Sequence, residues 1–428
     1  MEFSAVAKIL IIFFGVLAAS RLRVPLGVGL IGGGLALDFW AKNIQSLPGD
    51  FWQAIIRPEL WLLAITITLL MEIGHFMAAD ENGKVFLSLA RRYGGRHGQA
   101  VSLVLIPASI GLVPMPGGAL FSAPLVGKTA ENLNNSAEWK AAVNYWFRHV
   151  LEYWWPLYPV VIVTLSIFTL QTWKFMLLQI PFTFVSLGAG YFFLLRSHKF
   201  IFTPDGPEEQ NLPSIVQVML PIIIIVLTTL LLPGFFHKIF PSLNPASWKL
   251  LAMLTGLIIS LGIIWRNRKN HSRKMFSDIA SKKTMNVFIT LAGVMFFESL
   301  LNSSGLIPLA GQELSRGSVP IALIIAFLPF LAGLVTGIAI GFAGAAFPIV
   351  VGFVSADVAL QPIAALVLAF SMGYAGMMLS PVHLCFLLTV DYFSASFIKV
   401  YKYLVPCVLC VMAYGIVLYQ MLQMLLNH

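Results

Sequence analysis

The stretch "GLVPMPGGALFSAP" (Gly111–Pro124) holds three prolines and three glycines between flanks apolar enough to lie in a membrane. Its middle, Pro114-Met115-Pro116-Gly117-Gly118, cannot continue a helix, because proline removes a backbone donor and clashes with the preceding turn. Irregular backbone at membrane depth survives only where protein or a water-lined cavity satisfies its amides. The arm before the break, 99–113, makes about 22 Å of helix at 1.5 Å per residue. A hydrocarbon core of about 30 Å is too thick for that arm to cross. The stretch therefore predicts a re-entrant hairpin over 99–128. It reaches mid-membrane, turns at Pro114–Gly118 and comes back, with the N-terminus of the returning arm at the bilayer centre. Free N–H groups and a positive dipole end then face whatever occupies that level, a setting suited to an anion.

The rest of the chain supports this setting. Of 428 residues, 58% are apolar and 11% charged. Apolar runs of about twenty residues recur, whereas a membrane β-barrel would alternate over segments of about ten. The sequence reads as an all-α polytopic membrane protein with about ten transmembrane helices. Spans are expected at 4–20, 25–41, 58–78, 141–170 (broken), 175–195, 214–233, 249–265, 285–302, 362–390 (broken) and 403–425. A second hairpin is expected at 319–353. The run Ser4–Ser20 has no clear small-residue cleavage site and reads as a span, not a signal peptide.

The loop "RNRKNHSRKMFSDIASKK" (266–283) carries seven Lys/Arg, which assigns it to the cytoplasm. Alternation then puts most other basic loops on the same side, but only if both hairpins enter and leave on one face. The net charge of +9 thus has a topological origin, and no nucleic-acid partner is implied. The expected location is the cell (inner) membrane, multi-pass, with both termini on the non-cytoplasmic side.

The chain also repeats itself. "IPASIGLVPMPGGALFSAPLVG" (106–127) matches "LPFLAGLVTGIAIGFAGAAFPIVVG" (328–352), aligning Pro107 with Pro329, Gly111 with Gly333 and Pro124 with Pro348. Glu72 aligns with Glu298, and Pro156 with Pro381. Two halves follow, 1–195 and 214–428, joined by a polar linker, 196–213. Each has three spans, a hairpin, a broken span and a final span, and they start on opposite sides of the membrane. That is an inverted-topology repeat, an architecture of many secondary transporters.

These features resemble the ion transporter superfamily, which includes the large permease subunit of TRAP transporters and the citrate, dicarboxylate and gluconate permeases. "PMPGGALFSAP" and "YWFRHVLEYWWPLYP" are similar to an uncharacterised prokaryotic family within it. The resemblance covers nearly the whole chain. It implies an elevator-type carrier, often a homodimer, with a scaffold of early spans and a mobile part of hairpins and broken helices. Sodium-coupled dicarboxylate members carry Ser-Asn-Thr hairpin tips; Pro114–Gly118 has no such side chains, so an ion there would meet backbone carbonyls.

The most informative charges lie in "YWFRHVLEYWWP" (Tyr145–Pro156). Arg148 and Glu152 are four apart and can pair, and His149 lies three from Glu152. Ionisable residues inside a membrane are rare and face cavities or each other. Arg148 is the expected anion clamp, releasing Glu152 as substrate arrives, with His149 or Glu152 carrying a coupling proton; a structural Arg–Glu pair is the alternative. The second half aligns Gly373, Tyr374 and Met377 there. In "GYAGMMLSP" (373–381), Ser380-Pro381 is expected to cap and start a new helix, with His383 in its first turn.

The expected substrate-binding set is Pro116, Gly117, Gly118, Arg148, Gly341, Gly344, Ser380 and His383, the second hairpin breaking around Gly337–Gly344. Glu72 and Glu298 are expected as scaffold residues, or else as cation or proton sites beside His149 and Glu152. Cys385, Cys407 and Cys410 all lie in apolar sequence. Cys407 and Cys410 form C-x-x-C inside a span without a second pair, so packing is expected over metal or redox chemistry.

No nucleophile–base, metal-ligand or nucleotide motif appears, so no catalytic residue, metal or cofactor is expected. The leading expectation is a secondary carrier of a small anion, an organic acid, driven by H+ or Na+. A cation/proton antiporter is the alternative, and a membrane enzyme or lipid-handling protein a further one. Besides the solute and ion, the expected partners are membrane lipid, a second copy of the chain and, optionally, an accessory subunit.

Overall fold

The computed structural model describes residues 4–42, 47–77, 85, 98–112, 114, 118–133, 135–197, 200, 215–267, 282–316, 320–356 and 360–426. All regular structure among the described residues is helical. The first half runs α1 (Ala5–Arg21), α2 (Leu26–Ala41), α3 (Leu47–Ile56), α4 (Pro58–Met77), α5 (Gly98–Gly111), α6 (Ala119–Thr129), α7 (Ala137–Arg148), α8 (Pro159–Ile167) and α9 (Thr172–Gly190), the last extended by a wide turn through Leu195. The second runs α10 (Ile215–Leu231), α11 (Pro233–Ile239), α12 (Pro245–Asn267), α13 (Lys282–Ser303), α14 (Leu306–Arg316), α15 (Ile321–Thr336), α16 (Ala339–Ala356), α17 (Pro362–Met378), α18 (Leu384–Tyr392) and α19 (Phe397–Leu426).

The chain's punctuation explains many of these boundaries. Ser4 and Ser136 cap α1 and α7, each side chain accepting a backbone N–H three residues on at 3.2 Å. Proline opens α8, α11 and α17, where its missing donor costs nothing. Gly337 ends α15 with φ of 66°, a left-handed stop that a Cβ would strain.

Four described helices are individually long and apolar enough to cross a membrane, Thr172–Leu195, Pro245–Arg266, Met285–Ser303 and Phe397–Leu426. Two bent pairs bring the number to six: Pro48–Ile56 with Pro58–Ile73 at 50°, and Val216–Leu231 with Pro233–Ile239 at 52°. Other expected spans appear as shorter apolar helices, including Leu26–Ala41. Three short helices, α3, α11 and α14, were not anticipated. α14 in particular is strongly amphipathic.

The segments expected as hairpins are two helix pairs in mutual contact, α5–α6 and α15–α16, and every arm carries an internal proline: Pro107, Pro124, Pro329 and Pro348. The segments expected as broken spans are each two helices, α7 and α8 with residues 149–158 between them, and α17 and α18 with residues 379–383 between them. Helices α1, α2, α4, α10, α12 and α13 pack on one another as one group. The hairpins, broken helices, α9 and α19 make a second group, and α16 joins the two by packing on α8, α13 and α14.

Three expectations need correction. The second hairpin breaks only at Gly337-Ile338, so Gly341 and Gly344 lie inside α16, where Gly344 faces Val294 of α13. That glycine serves close helix packing and not an open tip. Helix α17 persists through Met378, so "GYAGMM" stays helical and the unwinding is confined to 379–383. Ser380 is no helix cap: its hydroxyl donates to the Leu334 carbonyl at 2.7 Å, and His383 takes the N-cap position of α18 instead. The same hydroxyl oxygen accepts the Val382 N–H at 3.3 Å, so Ser380 closes a turn ahead of α18, and the helix starts three residues too late for it to be the cap.

Candidate functional site

Each hairpin docks on the broken helix of its own half through the same kind of contact. Gly111, at the end of α5, lies so near the Arg148 carbonyl that a Cβ would collide with it. Gly333 of α15 lies equally near the Gly373 carbonyl of α17. Around the first contact, Tyr158 donates its hydroxyl to the Gly111 carbonyl, and Trp155 Nε1 donates to the Leu112 carbonyl at 3.0 Å. Around the second, Ser380 bonds α15 as described, and Gly337 sits against the backbone of His383. The hairpin ends are thereby fixed to the unwound segments.

The two unwound segments then meet. Tyr374 of α17 donates to the His149 carbonyl at 2.7 Å, and Tyr145 of α7 donates to the Met378 carbonyl at 3.2 Å. Asn144 Nδ2 bridges the Ala119 carbonyl at the start of α6 and Thr389 Oγ1 of α18, both at 3.1 Å. Four chain segments are tied at one place.

The charged residues expected from sequence lie at that junction. Arg148 Nη1 donates to Glu152 Oε1 at 3.1 Å, with Arg148 only 2% exposed. His149 Nε2 lies 3.9 Å from the same carboxylate oxygen, and Tyr374 Oη lies 3.5 Å from Glu152 Oε2. Helix α7 ends at Arg148, so the pair spans the helix end and not a continuous helical face, yet the four-residue spacing still closes it. A buried arginine and carboxylate joined in this way hold each other's charge; neither tolerates being left alone.

His383 joins the cluster from the other half. His149 Nδ1 is 2.6 Å from the Tyr145 carbonyl, and His383 Nδ1 is 2.7 Å from the Gly337 carbonyl. A carbonyl only accepts, so both Nδ1 atoms carry hydrogen. The two Nε2 atoms face each other at 3.2 Å. Cys385 completes the group, buried, with Sγ and one ring nitrogen of each histidine mutually within 4.8 Å. Sequence reading took Cys385 as packing and no metal ligand set was seen. The ligating groups are distributed over both halves, and His383-x-Cys385 alone is an uninformative spacing.

Of the other expected residues, Gly118 is buried just before α6. Pro116 and Gly117 lie outside the described residues. Glu298 is engaged elsewhere: it accepts from Arg57 Nη1 at 3.0 Å and from Asn302 at 3.2 Å. Arg57 also reaches Glu59 at 3.5 Å, and Glu59 accepts from Ser247 of α12 at 2.8 Å. These bonds fasten α3, α4, α12 and α13 together. Glu72 is buried on α4. Cys407, in the C-x-x-C, faces the Ala189 and Tyr403 carbonyls at 3.7 and 3.4 Å, a packed thiol.

A solved structure, that of the YdaH transporter of Alcanivorax borkumensis, described as having an unusual topology, shares this fold with a TM-score of 0.56. The match is 13% identical and covers 87% of this chain and 86% of that one. No curated protein matches in sequence. A family model described as a protein of unknown function, DUF401, matches residues 7–422.

Proposed function

The chain belongs to the DUF401 family, and we propose that it is a secondary carrier of a small anion, an organic acid, working by an elevator mechanism coupled to a proton or sodium gradient. The observation that carries this reading is the Arg148–Glu152 pair, buried where two broken helices and two hairpins converge. Membrane-embedded ion pairs mark solute and proton pathways. The shared fold with a transporter supports the class.

In the proposed cycle, Arg148 exchanges its Glu152 partner for the carboxylate of the solute, a planar match for the guanidinium. Glu152, released, takes a proton and so crosses with its charge neutralised. The hairpins and broken helices move as one body against α1, α2, α4, α10, α12 and α13. The inverted repeat, membership of the ion transporter superfamily, homodimeric assembly and the expected membrane sidedness belong to the same proposal. The matched glycine–carbonyl contacts at Gly111 and Gly333 support the repeat. The antiporter alternative gains less support, because Glu298, one of its three carboxylates, is engaged by Arg57.

The test is a thermal-shift screen of detergent-purified protein over mono-, di- and tricarboxylates, at two pH values, with and without Na+. An organic acid should stabilise the wild type and fail to stabilise Arg148→Lys, which keeps charge but loses the forked geometry. Equal stabilisation of both proteins removes Arg148 from the site. Stabilisation by Na+ alone favours the antiporter.

A further inference from the structure

The geometry points to a metal site: we propose that His149 Nε2, His383 Nε2 and Cys385 Sγ hold one thiophilic transition-metal cation, Zn2+ or Cu+, with a further coordination position open. Three observations support it independently of the anion reading.

The first is the direction of the lone pairs. Both Nδ1 atoms donate to backbone carbonyls, at 2.6 Å to Tyr145 and 2.7 Å to Gly337. In neutral rings both Nε2 atoms then present lone pairs to each other at 3.2 Å. Two facing lone pairs at this distance repel unless a cation lies between them. Histidines that bind metals carry the same outer arrangement, with the second ring nitrogen donating to a carbonyl or carboxylate, which fixes tautomer and ring orientation.

The second is distance. Zinc–nitrogen bonds of about 2.0–2.1 Å at a tetrahedral angle separate two ring nitrogens by about 3.3 Å. The observed separation is 3.2 Å. The nitrogen pair is already spaced for the ion, and the sulfur, within 4.8 Å, has to close to about 3.6 Å from each nitrogen to complete a tetrahedral site.

The third is the thiol. A proton shared between two imidazoles would also fit 3.2 Å, but it has no use for a sulfur. Cys385 Sγ lies within 4.8 Å of a ring nitrogen of each histidine and is buried with them. Two imidazoles and a thiolate suit zinc or cuprous ion and not Mg2+ or Ca2+, which prefer oxygen. Binding displaces the thiol proton to solvent, so the thiolate offsets the ion's charge. Arg148 and Glu152 neutralise each other beside it. The open position faces a junction in which Glu152 Oε1 lies 3.9 Å from His149 Nε2, so that carboxylate, or a solute replacing it, is the nearest candidate for a fourth ligand.

The arrangement also has a mechanical consequence. His149 belongs to the first unwound segment, and His383 and Cys385 to the start of α18. One ion would cross-link segments 234 residues apart in sequence.

The experiment uses full-length protein purified without a polyhistidine tag. It is loaded separately with Zn2+, with Co2+ as a spectroscopic substitute, and with Cu+ under reducing conditions, then freed of loose metal by gel filtration. The expected result is about one ion per chain. Cobalt should give a thiolate charge-transfer band that disappears in Cys385→Ser and persists in Cys407→Ser, whose thiol lies elsewhere. His383→Gln should lower retained metal at least tenfold, and Zn2+ against Cu+ retention identifies the ion's class. Retention below a tenth of an ion by folded wild-type protein overturns the site. So does a cobalt band unchanged in Cys385→Ser. Because wild-type loading needs no variant to fold and no transport, the site can fail while the anion carrier stands, and the reverse.

Discussion

The two broken helices share a shape and divide the chemistry. In each, a hairpin glycine presses on a carbonyl of the helix, the chain unwinds, and a nine-residue helix begins. Arg148, His149 and Glu152 in the first correspond to Gly373, Tyr374 and Met377 in the second, 225 residues later in each case. The first segment thus contributes the charges. The second contributes the Tyr374 hydroxyl, the His383 ring and the Cys385 thiol, all turned toward the first. The difference teaches that the same glycine–carbonyl contact can accompany quite different side chains: both segments carry the contact, and only the first carries the Arg–Glu pair.

The strongest way to break this comparison is to remove one charge. Glu152→Leu leaves Arg148 buried and uncompensated, and should cost about 3–5 kcal/mol in thermal or denaturant unfolding in detergent. The double change Arg148→Met with Glu152→Leu should recover most of that loss, since a buried pair replaced by apolar groups is often neutral. If the single and double variants are equally destabilised, the pair does not act as a unit.

The duplicated backbone contact is sharpened by adding one methyl group at each copy. Gly111→Ala and Gly333→Ala both drive a Cβ into a carbonyl, of Arg148 and Gly373 respectively. Each should cost about 1–3 kcal/mol by overpacking, despite alanine's better helix propensity. Matching losses would mean matching mechanical roles. A loss at Gly111 alone would make the first docking special.

The helix breaks between α5 and α6, at 149–158 and at 379–383 were legible locally, because Pro114, Pro156 and Pro381 each sit near glycines, aromatics or serine that do not rescue the helix. Pro107, Pro124, Pro329 and Pro348 lie inside helices, so proline alone does not mark a break. The pairing of Arg148 with Glu152 was legible for a similar reason, four residues being one turn. Ser380 was misread because α18 starts at His383 instead, and the Ser380 hydroxyl bonds the Leu334 carbonyl of α15, 46 residues away, a partner that local sequence does not reveal. The break around Gly337–Gly344 was drawn too long because glycine serves both turns and tight contacts: Gly344 lies inside α16 against Val294 of α13, and Gly341 lies inside α16 against Thr336. The convergence of His149, His383 and Cys385 has no local signature. Two of its groups share a helix start and the third belongs to the other half, so only the folded chain brings them together.

A smaller effect separates the second half's hydroxyl from its imidazole. Tyr374→Phe removes the hydrogen bond to the His149 carbonyl at 2.7 Å while keeping the ring against Tyr153. About 1–2 kcal/mol should be lost, because the carbonyl is buried and finds no water. If Tyr374→Phe is neutral, the first break is held by its other bonds, those of Trp155, Tyr158 and Thr183 among them, and Tyr374 has no part in supporting it.

The smallest effect supplies a reference outside both breaks. Glu313 of the amphipathic α14 accepts from the Ala5 and Val6 amides at 2.8 and 2.9 Å, closing the N-terminus of α1. Burial works against its charge, but the donors at Val6 and Ala5 outweigh that and hold the carboxyl below the usual range. A carboxyl with a lowered folded pKa stabilises fully above its unfolded value, and the gain is lost as pH falls through the lowered folded value. Glu313→Gln keeps an acceptor and loses the charge facing the helix dipole, so about 1 kcal/mol should go at neutral pH. The wild type and variant should then converge as the solution is acidified. Arg148 is buried beside its partner, so Glu152→Gln should keep a destabilisation larger than that of Glu313→Gln across the same pH range. If both variants give the same small, pH-dependent difference, the first break holds its charges no more tightly than a helix end at the surface does, and its distinction from the second break is one of residue type only.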